Sequence, residues 1–154
     1  MSSEASLKAK LQSDLNGAIK SRNTIVAETI RMVLSAITNE EVAGKEKKEL
    51  TDADVITVLT REAKKRREAA EAFEQGNRPD KAAQEKAEGE VIAGYLPAQL
   101  SESEISILIA ETIASVGAAG PADMGKVMGA LKAKVAGKAD GALVSSLVKA
   151  ALNK

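Results

Sequence analysis

The segment from Gly120 to Lys126 has the spacing of a phosphate-binding loop: glycine, four residues, then glycine and lysine. In such a loop the backbone N–H groups cradle a polyphosphate, and a Ser or Thr after the lysine ligates magnesium. Here Val127 stands where the hydroxyl is needed, and Asp123 puts a negative charge inside the loop. The residues before Gly120 read as helix, whereas a phosphate loop leaves a buried strand. The spacing therefore does not predict nucleotide binding. Gly125 and Gly129 need another explanation.

Wound as a helix at about 100° per residue from Lys126, residues Met124, Met128, Leu131 and Val135 gather within roughly 140–200°. They form an apolar stripe expected to be core. Gly125 and Gly129 fall at roughly −100° and −60°, bracketed by Lys126 and, at roughly −120°, Lys132. Each glycine inside a helix costs about 0.5–1 kcal/mol relative to alanine, so something should offset it. One reading is close approach by the neighbouring final helix. The other is approach by a sugar-phosphate chain, drawn onto bare helix between two ammonium groups. From Gly117 onward there are six Lys and two Asp, so this end is the basic pole of a neutral chain. The candidate contact residues are Gly125, Lys126, Gly129, Lys132 and Lys138. Asp140, before Gly141, reads as a helix N-cap that shapes the preceding loop.

A second basic cluster lies in "REAKKRRE". Arg61, Lys64 and Lys65 share one face with Glu68 at helical spacing, the pattern of a solvated face and a secondary binding candidate. Glu62 and Arg66 instead fall within the stripe of Val55, Val58, Leu59, Ala69, Ala70 and Phe73. Their i, i+4 spacing predicts an ion pair at a helix–helix seam.

The rest of the composition narrows the chemistry further. With no Cys and no His, thiol chemistry, zinc knuckles and the commonest general base are excluded. Tyr95, Phe73 and no Trp leave little platform for base stacking. Balanced charge gives no global footprint for DNA. "GKADG" lacks the alternating ligands of a calcium loop. No cofactor, metal, catalytic residue, DNA or membrane is expected. The start "MSSEASLKAKLQ" lacks an apolar signal core, and no apolar run approaches the roughly 20 residues of a membrane span. A cytoplasmic protein is the expectation.

Seven helical segments must position these residues, giving an all-α fold. Leu7, Leu11, Leu15 and Ile19 mark the first, and Ile25, Thr29, Ile30, Val33, Leu34 and Ile37 the second. Thr51 with Asp54 reads as a capping box opening the third, which stops near Gly76. Pro79 opens a fourth that runs to Leu96, where Pro97 makes the clearest boundary. Ser101 and Glu104 suggest a second capping box, and Gly117 a C-terminal cap. The sixth is expected from Pro121 to about Ala136 and the last from Asp140 to near Leu152. Four longer helices thus form a domain over 1–96, and three shorter ones a domain over 97–154.

"KKRREAAEAFEQGNRPDKAAQEKAEGEVIAGYLPAQLSESEI" resembles the signature of YqeY proteins. "GPADMGKVMGALKAKVAGKADGALVSSLVKAAL" is similar to the tail that YqeY shares with GatB, a subunit of the tRNA-dependent amidotransferase. The match is clearest at Met124, Gly125, Lys126, Met128, Gly129, Gly137, Asp140 and Gly141. The resemblance implies the same all-helical layout and a tRNA-contacting tail, while kinase and transamidation domains have no counterpart here. The leading expectation is a non-catalytic tRNA-binding or translation-associated module. The alternatives are an accessory of carbon–nitrogen ligase activity with glutamine as amide donor, and a protein–protein adaptor whose partner is a protein.

Overall fold

The computed structural model describes residues 6–153, which form seven α-helices and, among the described residues, no strand. The chain divides between Leu96 and Pro97 into two compact units, each with its own hydrophobic core.

The N-terminal unit holds α1 (Leu7–Lys20), α2 (Thr24–Glu41), α3 (Asp52–Gln75) and α4 (Pro79–Ala93). Its core is the helical stripe of each element, with Leu11, Ile30, Val33, Ile37, Val55, Val58, Leu59 and Ile92 fully buried. Burying each such side chain contributes about 1.5–3 kcal/mol. Side-chain caps start three of the helices: Ser6 accepts from Ala9 N–H, Asn23 from Val26 N–H, and Thr51 from Asp54 N–H. The Thr51–Asp54 capping box is complete, because Thr51 N–H donates back to the Asp54 carboxylate at 3.0 Å. That bond and its hydroxyl partner hold Asp54 below the ordinary carboxylate range. Pro79 occupies the first turn of α4 as expected.

Long-range polar ties fix the ends of this unit. Leu7 N–H donates to Asp52 across 45 residues, and buried Glu41 takes two hydrogen bonds from Lys8 at 3.0 and 3.1 Å. The Tyr95 hydroxyl donates to Asp14 at 2.5 Å. Three expectations change here. α4 ends at Ala93, with Gly94 as its cap, so Tyr95 and Leu96 lie in a turn. Ile19 and Ile25, read as stripe residues, are 47% and 45% exposed. They sit beside the tight α1–α2 turn, where the core no longer covers the stripe.

The C-terminal unit holds α5 (Glu102–Val116), a 3-10 turn (Pro121–Asp123), α6 (Met124–Val135) and α7 (Gly141–Leu152). Ile105 and Ile109 of α5 meet Val127, Leu131 and Val135 of α6 and Val144, Val148 and Leu152 of α7. The whole α5 segment is helical, so "ISILI" follows the helical template and not its strand-like alternation. Gly117 ends α5 at φ +68°, a left-handed cap that glycine adopts without strain. The second capping box is only half formed. Ser101 Oγ accepts Glu104 N–H, but the Glu104 carboxylate takes the Ser101 hydroxyl in place of its N–H. The helix expected from Pro121 begins as a 3-10 turn, with Met124 N–H bonded back to the Pro121 carbonyl.

Candidate functional site

The near-match to a phosphate loop is closed by its own side chains. Asp123 accepts the Ala119 N–H at 2.8 Å, so a carboxylate occupies the bend where a phosphate would sit. That backbone bond chiefly, with a further pull from Lys126, holds Asp123 below the ordinary carboxylate range. Val127 is wholly buried in the three-helix core and faces no ligand. The buried face of α6 is Val127, Leu131 and Val135, with Met124 and Met128 half-buried at its edge. The expected stripe is therefore rotated toward Val127.

That rotation leaves Gly125 and Gly129 on the outside. Both are exposed, and a Cβ built at either would meet nothing within 4 Å. The final helix packs on the opposite side of α6, through Val144, Val148 and Leu152. Close packing against α7 is thus not what the glycines serve. Lys126 and Lys132, on either side of them, are also exposed, as are Lys134 and Lys138. Among the described residues no carboxylate lies within ion-pair distance of any of these four lysines. Ala133, also exposed, continues the bare strip beyond Gly129. The i, i+4, i+8 spacing of Gly125, Gly129 and Ala133 carries that signal in the sequence.

The loop after α6 is built, not loose. Gly137 takes φ +71°, a conformation that suits glycine, and its carbonyl accepts the Gln99 amide at 2.8 Å. Leu100 N–H donates to the Lys138 carbonyl at 2.8 Å, which fixes the backbone from which Lys138 extends. Asp140 caps α7 by accepting Ala142 N–H at 3.1 Å, and Gly141 is the first residue of that helix. Helix α6 and the loop after it therefore present four ammonium groups, two of them flanking a helical surface without side chains. Such a face can take a polyanion close to the helix backbone.

The α3 cluster is different. Arg61 is paired with Glu40 at 3.2 Å and Lys65 with Glu62 at 3.5 Å, while Lys64 is half-buried. The expected Glu62–Arg66 pair does not form. Arg66 reaches across to α4, where it meets Glu85 and Glu88 at 3.4 Å each, and donates to the Met32 sulfur. Glu62 is buried and uses Lys65, one turn away. The seam exists, but its acidic side comes from a second helix, which i, i+4 spacing within α3 could not show. Burial raises the Glu85 carboxyl, against the lowering pull of Arg66. Much of the cluster's positive charge is thus already answered by glutamates.

No set of three or more acidic side chains among the described residues is placed to hold a metal ion. No single helix among them is long and apolar enough to cross a membrane.

A sequence profile for the family described as "Yqey-like protein" matches residues 8–152. The chain belongs to the YqeY-like family. Relatives outside this chain include an uncharacterised protein of Schizosaccharomyces pombe, 36% identical over 96 residues, which cover 62% of this chain and 76% of the relative. A second is altered inheritance of mitochondria protein 41, mitochondrial, of Pyrenophora tritici-repentis. It is 30% identical over 134 residues, 84% of this chain and 71% of the relative. The protein of the same name in Clavispora lusitaniae is 34% identical over 90 residues, 58% of this chain and 51% of its own length.

Proposed function

We propose that this YqeY-like chain is a non-catalytic RNA-binding module, with tRNA as the expected partner, acting through the α6 face of its C-terminal unit. The observation that carries the reading is the open strip of Gly125 and Gly129 between Lys126 and Lys132. A helix that gives up side chains without gaining a packing partner spends stability for access by something else. Unpaired lysines at the margins favour an anion, and the shortage of aromatic residues favours contact with backbone and shape over stacking. The resemblance of this segment to the tail of an amidotransferase subunit supports the same partner class. Lys138 extends the footprint past the end of α6, and the partly neutralised Arg61, Lys64 and Lys65 face is secondary.

The test is tRNA binding by the full chain across a salt series, for wild type and for Lys126→Ala with Lys132→Ala. Each phosphate contact contributes roughly 0.7–0.9 to the magnitude of the log–log salt slope, so losing two lowers it by roughly 1.4–1.8. Equal slopes, or no binding at low salt, contradict the proposal. A glutaminase assay on the purified chain is expected to show no turnover. The cytoplasmic location expected from sequence belongs to the same proposal, and fractionation of the tagged chain tests it.

One observation favours a second reading, that of a protein adaptor. A largely apolar groove of about 420 Å³ lies between α5 and α7, lined by Ile109, Ile113 and Leu147 among others. A partner recovered after ribonuclease treatment, and lost on Leu147→Lys, favours this adaptor role over RNA contact.

A further inference from the structure

The α1–α2 turn of the N-terminal unit brings two arginines, Arg22 and Arg31, to one surface groove. Ser21, Arg22 and Asn23 join the two helices, with Arg22 N–H bonded to Ile19 O at 3.2 Å and Asn23 N–H to Ala18 O at 2.9 Å. Arg22 sits at φ +58°, a left-handed conformation uncommon for a residue with a Cβ. A shallow, open groove of about 390 Å³ lies beside it. Arg22 and Arg31 both line it. Elsewhere Arg61, Arg66 and Arg78 each hold a carboxylate, but no carboxylate lies within ion-pair distance of Arg22 or Arg31 among the described residues. Glu28 also lines the groove and forms no ion pair among the described residues, which leaves the lining net positive. Ala18, Ile19 and Ala27 supply an apolar wall, with Ile19 half-exposed beside the turn.

We propose that this cleft binds a small organic anion, with Arg22 and Arg31 on its oxyanion and its apolar body against Ala18, Ile19 and Ala27. A guanidinium presents paired donors that match carboxylate and phosphate oxygens, and two such forks without a carboxylate among the described residues leave that capacity unused. The apolar wall selects an anion that carries an aliphatic or aromatic body over a bare inorganic one. The site is in a different unit from the α6 strip and does not depend on RNA binding.

The experiment is an amide-shift titration of the isotope-labelled full chain with phenyl phosphate, phenylacetate and inorganic phosphate. Saturable shifts centred on residues 18–31 with phenyl phosphate or phenylacetate are expected, and the tighter of the two identifies the headgroup. Inorganic phosphate should bind at least several-fold more weakly. Arg31→Ala, an exposed position, should weaken the aromatic anion by roughly tenfold or more, as loss of a charged hydrogen-bond partner does. Glu28→Gln should tighten it. Absence of saturable shifts with both aromatic anions, or an unchanged affinity in Arg31→Ala, overturns the site. Inorganic phosphate binding as tightly as phenyl phosphate overturns the role of the apolar wall.

Discussion

Replacing Gly125 and Gly129 by alanine should stabilise α6 while weakening RNA binding. Both positions are helical, and an added Cβ at either meets nothing within 4 Å. Alanine is therefore accommodated without strain and restricts the unfolded chain more than glycine does. Gly129 is well inside the helix, so its replacement should contribute about 0.5–1 kcal/mol. Gly125 is the second residue of α6, where the intrahelical constraint is weaker, and its replacement should contribute toward the lower end of that range. Together they should add about 1–1.5 kcal/mol. Because the chain has two units, a single denaturation midpoint mixes two transitions, and native-state hydrogen exchange of the α6 amides is the better assay. The exchange of residues 127–135 should slow by up to about tenfold, since every 1.4 kcal/mol is a factor of ten. Two methyl groups on the strip also hold a phosphate backbone away from the helix. Loss of about 1 kcal/mol of contact weakens tRNA binding about fivefold. Faster exchange in the double variant would refute the open strip. Slower exchange with unchanged tRNA affinity would refute its role in contact.

Three further outcomes follow from the same geometry. Val127→Thr supplies the side chain that the loop pattern lacks, but at a fully buried position, so it should destabilise the C-terminal unit by about 1–3 kcal/mol and confer no ATP binding by calorimetry. Glu85 is raised above the ordinary 4.5 by burial, so the folded state binds its proton more tightly than the unfolded chain does. Its contribution to stability therefore falls as pH rises from 4.5 through the folded value, and Glu85→Gln should remove that fall. Urea unfolding of the N-terminal unit at a series of pH values checks this, read by the fluorescence of Tyr95, the sole tyrosine in a chain without tryptophan. Burial first, and then Asp14, pushes the Tyr95 hydroxyl well above the ordinary tyrosine value of 10. Ultraviolet titration should accordingly show less tyrosinate at pH 10 in the folded chain than in the urea-unfolded one, whereas Asp14→Asn should bring ionisation to lower pH.

The parts legible in the sequence were those decided locally. Thr51 with Asp54, Pro79, Gly117 and Asp140 each act within one helical turn, and each does what its residue type and spacing imply. Apolar spacing and caps together locate all seven helices for the same reason. Long-range choices were not legible. Arg66 finds its carboxylates on α4, more than five turns of chain away, and spacing within α3 pointed to Glu62 instead. Ile19 fits a core stripe by period, but a three-residue turn ends the cover that would bury it. On α6 the position of the glycines on the helix was readable. Whether α7 lay over them depended on which apolar residue centred the buried face, and Val127 decides that.

The central claim is that the exposed strip of α6 meets an RNA backbone. Its most direct test is an amide-shift footprint of tRNA on the labelled full chain at low salt. The expected perturbations centre on Gly125, Lys126, Gly129 and Lys132, extend to Lys138, and disappear as salt is raised. Perturbations confined to other helices, with the α6 amides unmoved at saturating tRNA, would contradict the account.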